Sequence, residues 1–132
     1  MIYGIGTDVV ELERMERTWA RWGTRARDRI LCPGEIERFA RARDPARFLA
    51  MHFAAKEATV KALGTGFCPR MTLHDAAVVP DPLGRPEIEF SEKGADFVAE
   101  RGGGETYISL TDDAGIAFAV CVMLKAGVRG DR

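Results

Sequence analysis

The stretch from Asp44 to Gly66 constrains the fold of this chain more than any other. Asp44-Pro45 places an N-cap acid before a proline whose missing N–H is one that the first helical turn leaves unpaired in any case. Neither proline nor glycine recurs until Gly64 and Gly66, which supply a helix stop. The bracketed segment therefore predicts a helix of about nineteen residues, the longest in the chain and its spine. Phe48, Leu49, Phe53, Val60 and Leu63 provide apolar contacts along it. Ala54, Ala55, Ala58 and Ala62 line a face too small for bulky packing, which leaves room for something to lie close against the helix.

Around that spine, the β-branched, glycine-interrupted Ile2 to Val10 reads as a strand, with Gly4 and Gly6 open to close approach by another backbone or a ligand. An amphipathic helix follows from Glu11, with Leu12, Met15 and Trp19 on one face. Short helices are expected over Arg25 to Leu31 and from Pro33 to about Ala42. Past Cys68-Pro69 the pattern changes to a hairpin, Ala76 to Val79 and Glu87 to Phe90 around Asp81-Pro82-Leu83-Gly84. A helix from Ser91 to about Arg101 and strands Thr106 to Thr111 and Ile116 to Leu124 complete the chain. The expected architecture is α+β, one domain over residues 1–126 with a frayed tail from 127 to 132.

With 132 residues, the chain can bury roughly two thirds of the surface it would expose unfolded. Its 19 Lys and Arg against 20 Asp and Glu leave no global charge with which to seek nucleic acid or anionic membrane, so any electrostatic function is local. Cys32, Cys68 and Cys121 are odd in number and widely spaced, which disfavours a disulfide framework or thiolate metal site and fits a reducing cytoplasm. No export segment is legible before the acids Asp8, Glu11 and Glu13. The uncharged run Ala114 to Leu124 is far short of the ~20 residues of a membrane span and reads as a buried strand.

Chemistry concentrates in two places. Glu57 and Lys61 stand four apart and share a face of the long helix, a spacing that suits an ordinary surface ion pair as well as a functional one. Asp8 closes the first strand, where it fits equally an N-cap or a group reaching into a cleft. Should the two carboxylates converge, they would suit a hard cation such as Mg²⁺, which takes one or two carboxylates together with phosphate oxygens. His74 is expected at the surface, and Trp19 and Trp22 as packing residues.

Four blocks carry a family likeness: Gly4-Ile5-Gly6-Thr7-Asp8-Val9-Val10-Glu11; Phe48-Leu49-Ala50 leading into Phe53-Ala54-Ala55-Lys56-Glu57-Ala58 and Lys61-Ala62-Leu63-Gly64-Thr65-Gly66; Leu83-Gly84-Arg85-Pro86; and Ile108-Ser109-Leu110-Thr111-Asp112-Asp113. In this order, across nearly the whole chain, they resemble the holo-acyl-carrier-protein synthases, the small stand-alone 4′-phosphopantetheinyl transferases of bacteria. The resemblance implies that family's fold, a mainly antiparallel sheet beside a long helix. It also implies transfer of phosphopantetheine from coenzyme A to a serine of an acyl carrier protein, with adenosine 3′,5′-bisphosphate released. It makes Asp8 and Glu57 ligands of Mg²⁺, Lys61 a catalytic cation on the phosphates, and Glu57, directly or through a metal-coordinated water, the base for the serine proton. It further implies coenzyme A contacts from Gly64, Gly66, Ser109 and Thr111, and a homotrimer with each active site at a subunit boundary.

Two positions depart from the family pattern. His52 stands where many members carry a full positive charge, with Arg47 as a substitute, and Asp112 stands where many have histidine, so no histidine-dependent role passes to it. Arg14, Arg17, Arg21 and Arg25 step along one side of the first helix, and the acidic acyl carrier protein is the partner the resemblance supplies for that stripe. A carrier-protein-binding or nucleotide-binding module without turnover and an unrelated Mg²⁺-dependent phosphohydrolase are the competing classes; the presence of Asp8, Glu57 and Lys61 together favours the transferase over the module.

Overall fold

The computed structural model describes residues 1–127; the expected tail, Gly127 apart, lies outside them. Its elements run β1 (Ile2–Glu11), α1 (Leu12–Trp22), α2 (Thr24–Ile30), α3 (Pro33–Phe39), α4 (Pro45–Leu63), a 3-10 turn (Leu73–Asp75), β2 (Ala76–Pro80), β3 (Pro86–Phe90), α5 (Glu92–Glu100), β4 (Gly103–Asp113) and β5 (Ile116–Lys125). The strands form a three-stranded antiparallel sheet in the order β1-β5-β4 and a separate antiparallel hairpin of β2 with β3. The fold is α+β, as the sequence pattern indicates.

Helix α4 has the expected caps. The Asp44 carboxylate accepts from the Arg47 N–H at 3.1 Å, and Gly64 closes the helix in the left-handed region at φ 88°. The alanine face does admit a close neighbour, and that neighbour is β1 rather than a ligand. Ala54, Ala58 and Ala62 are buried against the sheet, and a Cβ on Gly6 would overlap the Ala58 carbonyl oxygen and come within 2.6 Å of the Ala62 nitrogen. A Cβ on Gly4 would likewise overlap the Ala62 carbonyl oxygen. Two glycines on the strand and three alanines on the helix thus set an unusually short helix–sheet separation.

The core extends on both sides of that contact. Val60, Leu63 and Met71 pack with Ala119, Cys121 and Met123 of β5 on one side. Met15, Ile30, Leu31 and Leu49 surround Phe39 on the other, where Trp19 and Phe48 meet the Phe39 ring edge to face at 5.3 and 5.5 Å. Trp19 is therefore a packing residue, whereas Trp22 is 44% exposed.

Two boundaries and one short element differ most from the sequence reading. β4 begins at Gly103 rather than Thr106, because Gly103 pairs with Lys125 before the register shifts. α3 stops at Phe39 rather than near Ala42. The 3-10 turn was not anticipated, although Thr72-x-x-Asp75 carries its signature: the Asp75 carboxylate accepts from both the Thr72 N–H and its hydroxyl at 2.8 Å.

Candidate active site

Register decides which side of the sheet each candidate occupies. Asp8 pairs with Ala119, which pairs with Leu110, so these side chains share the face that packs on α4. Asp8 does not cap α1; Glu11 holds that position, without a side-chain cap. The Lys61 ammonium instead reaches across from α4, 3.0 Å from the Asp8 carboxylate and 3.1 Å from the Thr7 carbonyl oxygen. Lys61 thus pairs with Asp8 on the strand rather than with Glu57 one turn away.

Glu57 and Asp8 line the same cleft, of about 970 Å³. Burial first, and then the negative charge of Asp8, raise the Glu57 carboxyl above its ordinary pKa, and Lys61 offsets part of that rise. Two carboxylates in one cleft that repel each other, with a single ammonium at their side, are short of positive charge. Glu11 also lines the cleft, but among the described residues no group of three or more acids, histidines or cysteines is placed to hold a metal ion. An all-oxygen pair of this kind fits a hard cation such as Mg²⁺, whose remaining positions go to water and phosphate oxygens, and does not fit zinc.

The opposite wall of the cleft is basic at its rim and apolar inside. Arg14, Arg25 and Arg29 stand at the rim and Met15, Ile30 and Leu73 form the lining, while Phe53 of α4 lies on the side of Glu57. The arginine stripe therefore divides. Arg14 and Arg25 join the cleft, Arg17 pairs with Glu13 at 3.6 Å on the open surface, and Arg21 stacks on Trp22 at 5.0 Å. Arg29 and Trp22 were missed as cleft residues, although Arg29 continues the stripe four residues beyond Arg25.

Other expected site residues need correction. His52 is buried, stacks on Phe48 at 4.0 Å and places Nδ1 2.9 Å from the Phe48 carbonyl oxygen. Burial lowers its pKa from 6.5 to about 4, so at neutral pH it is an uncharged packing residue and attracts no phosphate. Arg47 does not supply the missing charge freely, because it grips Asp112 through two hydrogen bonds of 3.0 and 2.7 Å. The Gly64, Thr65 and Gly66 N–H groups all turn back onto the Val60 carbonyl oxygen, which ends the helix. Ser109 and Thr111 flank Leu110 on β4 and so point away from α4; within one chain they do not reach Asp8 or Glu57.

That outward face carries exposed Ile5 and Val9, 59% and 55% accessible, with Phe118, Val120 and Val122 half-buried beside them.

The family model for the ACPS group, described as the 4′-phosphopantetheinyl transferase superfamily, matches residues 4–121. A holo-[acyl-carrier-protein] synthase of Aromatoleum aromaticum is 50% identical over 122 residues, which cover 91% of this chain and 97% of that protein. One from Thiobacillus denitrificans is 42% identical over 99% of this chain and all of its own length. Among solved structures, the holo-[acyl-carrier-protein] synthase of Neisseria meningitidis superimposes with a TM-score of 0.91 at 37% identity, covering 95% of this chain and 100% of that one. The Helicobacter pylori synthase, solved in complex with coenzyme A, gives 0.79 at 31% identity, with 90% and 98% covered. A family model that spans residues 4–121 and relatives this similar over nearly their whole length show that the chain belongs to the holo-[acyl-carrier-protein] synthases, phosphopantetheinyl transferases of the 4′-phosphopantetheinyl transferase superfamily.

Proposed function

We propose that this chain transfers the 4′-phosphopantetheine group of coenzyme A to a serine hydroxyl of an acidic acyl carrier protein, with Mg²⁺ held by Asp8 and Glu57. The observation that carries the proposal is that Asp8 and Glu57 line one cleft together with Arg14, Arg25 and Arg29, while Lys61 is bonded to Asp8. The names of the relatives and the coenzyme A complex of the Helicobacter pylori synthase support the two substrates.

In the reaction, the serine oxygen bonds to the phosphorus that bears the pantetheine arm, and the bond from that phosphorus to the bridging oxygen breaks. Adenosine 3′,5′-bisphosphate leaves with the electron pair. Mg²⁺ supplies charge stabilisation on the diphosphate oxygens. Lys61, fixed by Asp8 and the Thr7 carbonyl, adds a second positive charge where negative charge grows on the leaving group. Glu57, directly or through a metal-coordinated water, receives the serine proton. Arg14 and Arg25 at the rim hold acidic side chains of the carrier, with Arg17 and Arg21 extending the attraction along α1.

The assembly is a homotrimer. Its support is the apolar outward face of the sheet, where Ile5 and Val9 are left open, together with the position of Ser109 and Thr111 on that same face. A neighbouring copy seated there brings Ser109 and Thr111 to the rim of a site whose acids belong to another chain. Residues 1–126 act as one domain. No helix among the described residues is long and apolar enough to cross a membrane, and the three cysteines are free, which supports a reducing cytoplasmic setting.

Mixing the protein with coenzyme A, Mg²⁺ and an apo carrier protein tests the proposal. The expected result is a carrier mass increase of one phosphopantetheine, dependent on the metal. Binding without mass change, or product released from coenzyme A with no carrier present, would overturn it.

A further inference from the structure

Behind the cleft wall lies a buried charge cluster that the transfer chemistry does not use. Lys56 is 0% exposed and Glu35 1%. The Lys56 ammonium donates to the Ile30 carbonyl oxygen at 2.7 Å, the Leu73 carbonyl oxygen at 2.9 Å and the Glu35 carboxylate at 2.6 Å. All three of its protons are thereby placed, with the Cys32 sulfur 3.7 Å away. The Glu35 carboxylate also accepts from the Cys32 N–H at 2.7 Å and the Val78 N–H at 2.8 Å, with His52 Nε2 3.9 Å away. Burial works against the Glu35 charge, yet Lys56 and these backbone donors outweigh it and hold the carboxyl below its ordinary pKa.

A buried ion pair is a poor source of net stability, because desolvation consumes most of what the pairing returns and apolar replacements often fold as well. What this one does is join segments. Its acceptors come from the end of α2, the start of α3 and the 3-10 turn, and its donor comes from α4. Two of the tied residues, Ile30 and Leu73, line the cleft, and α2 carries the rim arginines Arg25 and Arg29. On the helix, Lys56 projects about 100° away from its neighbour Glu57, so one turn of α4 faces the acid pair with one residue and grips the basic wall with the next. Glu57 itself is located independently, by the contact of Ala58 and Ala62 with Gly6.

We propose that Lys56 and Glu35 are positioning residues that fix the arginine-bearing wall of the cleft at a set distance from Asp8 and Glu57, and so govern how the carrier serine is presented. The inference rests on the transferase reading above. It assigns these residues to the carrier side of the reaction and not to coenzyme A or the metal.

Three variants test it: Lys56→Met, Lys56→Met with Glu35→Gln, and Glu35→Gln alone, which changes almost no volume and keeps an acceptor for the α3 N-terminus. Each is checked for folding by circular dichroism, and KM is measured for both substrates. The expected result is an apparent KM for carrier protein raised by about tenfold or more in the Lys56 variants, and by a smaller factor in Glu35→Gln, with the KM for coenzyme A within about twofold of the parent. In the double variant, a melting temperature recovered toward the parent with the carrier KM still raised separates positioning from stability. A folded variant with an unaltered carrier KM, an equal rise in both KM values, or recovery of stability and carrier KM together would overturn the proposal. Absence of transfer by the parent protein is a different outcome and would overturn the transferase reading instead.

Discussion

Substituting Gly6 by alanine tests the contact that sets Glu57 and Lys61 beside Asp8. The added Cβ would overlap the Ala58 carbonyl oxygen, lie 2.6 Å from the Ala62 nitrogen and 2.9 Å from the Lys61 Cβ. Ordinary contacts of carbon with such atoms are about 3.5 Å, so α4 must retreat by about 1 Å or β1 must bend by as much. Two of the three obstacles are backbone atoms in the middle of a helix and cannot swing aside as a side-chain tip would. The cost therefore falls at the upper end of the overpacking range, about 3 kcal/mol, which for a domain of this size lowers the melting temperature by about 10 °C. Because Glu57 and Lys61 flank Ala58 and Ala62, the retreat also draws them from Asp8, and a displacement near 1 Å in a reacting constellation costs about 100-fold in rate. Gly34→Ala is the control: it lies in α3 with open space around its Cβ position, and it should leave stability equal or raise it by about 0.5 kcal/mol. Thermal melts and carrier-modification rates on both variants decide the matter. Gly6→Ala melting within about 2 °C of the parent and turning over at the parental rate would refute the close-packing argument.

Reversing Arg14 and Arg25 to Glu should raise the KM for carrier protein by about 100-fold while leaving that for coenzyme A nearly unchanged, and added salt should weaken carrier binding to the parent; equal effects on both substrates would remove the docking role. Asp75 gives a pH dependence of stability. Burial alone would raise its pKa, but hydrogen bonds from Thr72 and Ser91, with Lys93 3.1 Å away, bring it from 3.8 down to about 2. Its folded pKa is depressed, so its contribution is whole above pH 3.8 and is lost as pH falls toward about 2; Asp75→Asn should flatten that part of the melting profile, and an unchanged slope would count against the assignment. Val9→Lys should dissociate the proposed trimer in sedimentation experiments while leaving the fold intact, since Val9 is 55% exposed in the isolated chain; a parent that sediments as a monomer, or a variant that stays trimeric, would count against a subunit contact on this face.

Much of this was legible in the sequence because local chemistry agreed with tertiary need. The caps of α4 specify both its ends, and the hairpin between β4 and β5 turns at Ala114-Gly115, with φ of 50° and 79°, within the turn expected from Asp112 to Gly115. Asp8 and Glu57 stand out by position, at a strand end and one turn before Lys61, with family likeness supplying only their proposed role, and the structure places both in one cleft. What periodicity could not give was the identity of contacts between elements. The room beside the alanines belongs to β1, the partner of Lys61 is Asp8 rather than Glu57, and His52 turns inward against Phe48. Each of these depends on which face meets which neighbour, a property of register and helix rotation that one chain pattern does not encode. The Lys56–Glu35 pair was hidden for the same reason: both residues are charged, stand 21 positions apart, and read as surface until the fold closes over them.

The proposed chemistry requires Asp8 and Glu57 to hold one divalent ion between them. Titrating Mn²⁺ as a paramagnetic substitute for Mg²⁺, with adenosine 3′,5′-bisphosphate present and binding followed by electron paramagnetic resonance, addresses it without relying on turnover. The parent should bind one ion per active site, and Asp8→Asn and Glu57→Gln should each abolish that binding while melting close to the parent. Parental Mn²⁺ affinity in either variant would mean that the two acids do not share a metal, and the proposed chemistry would lose its centre.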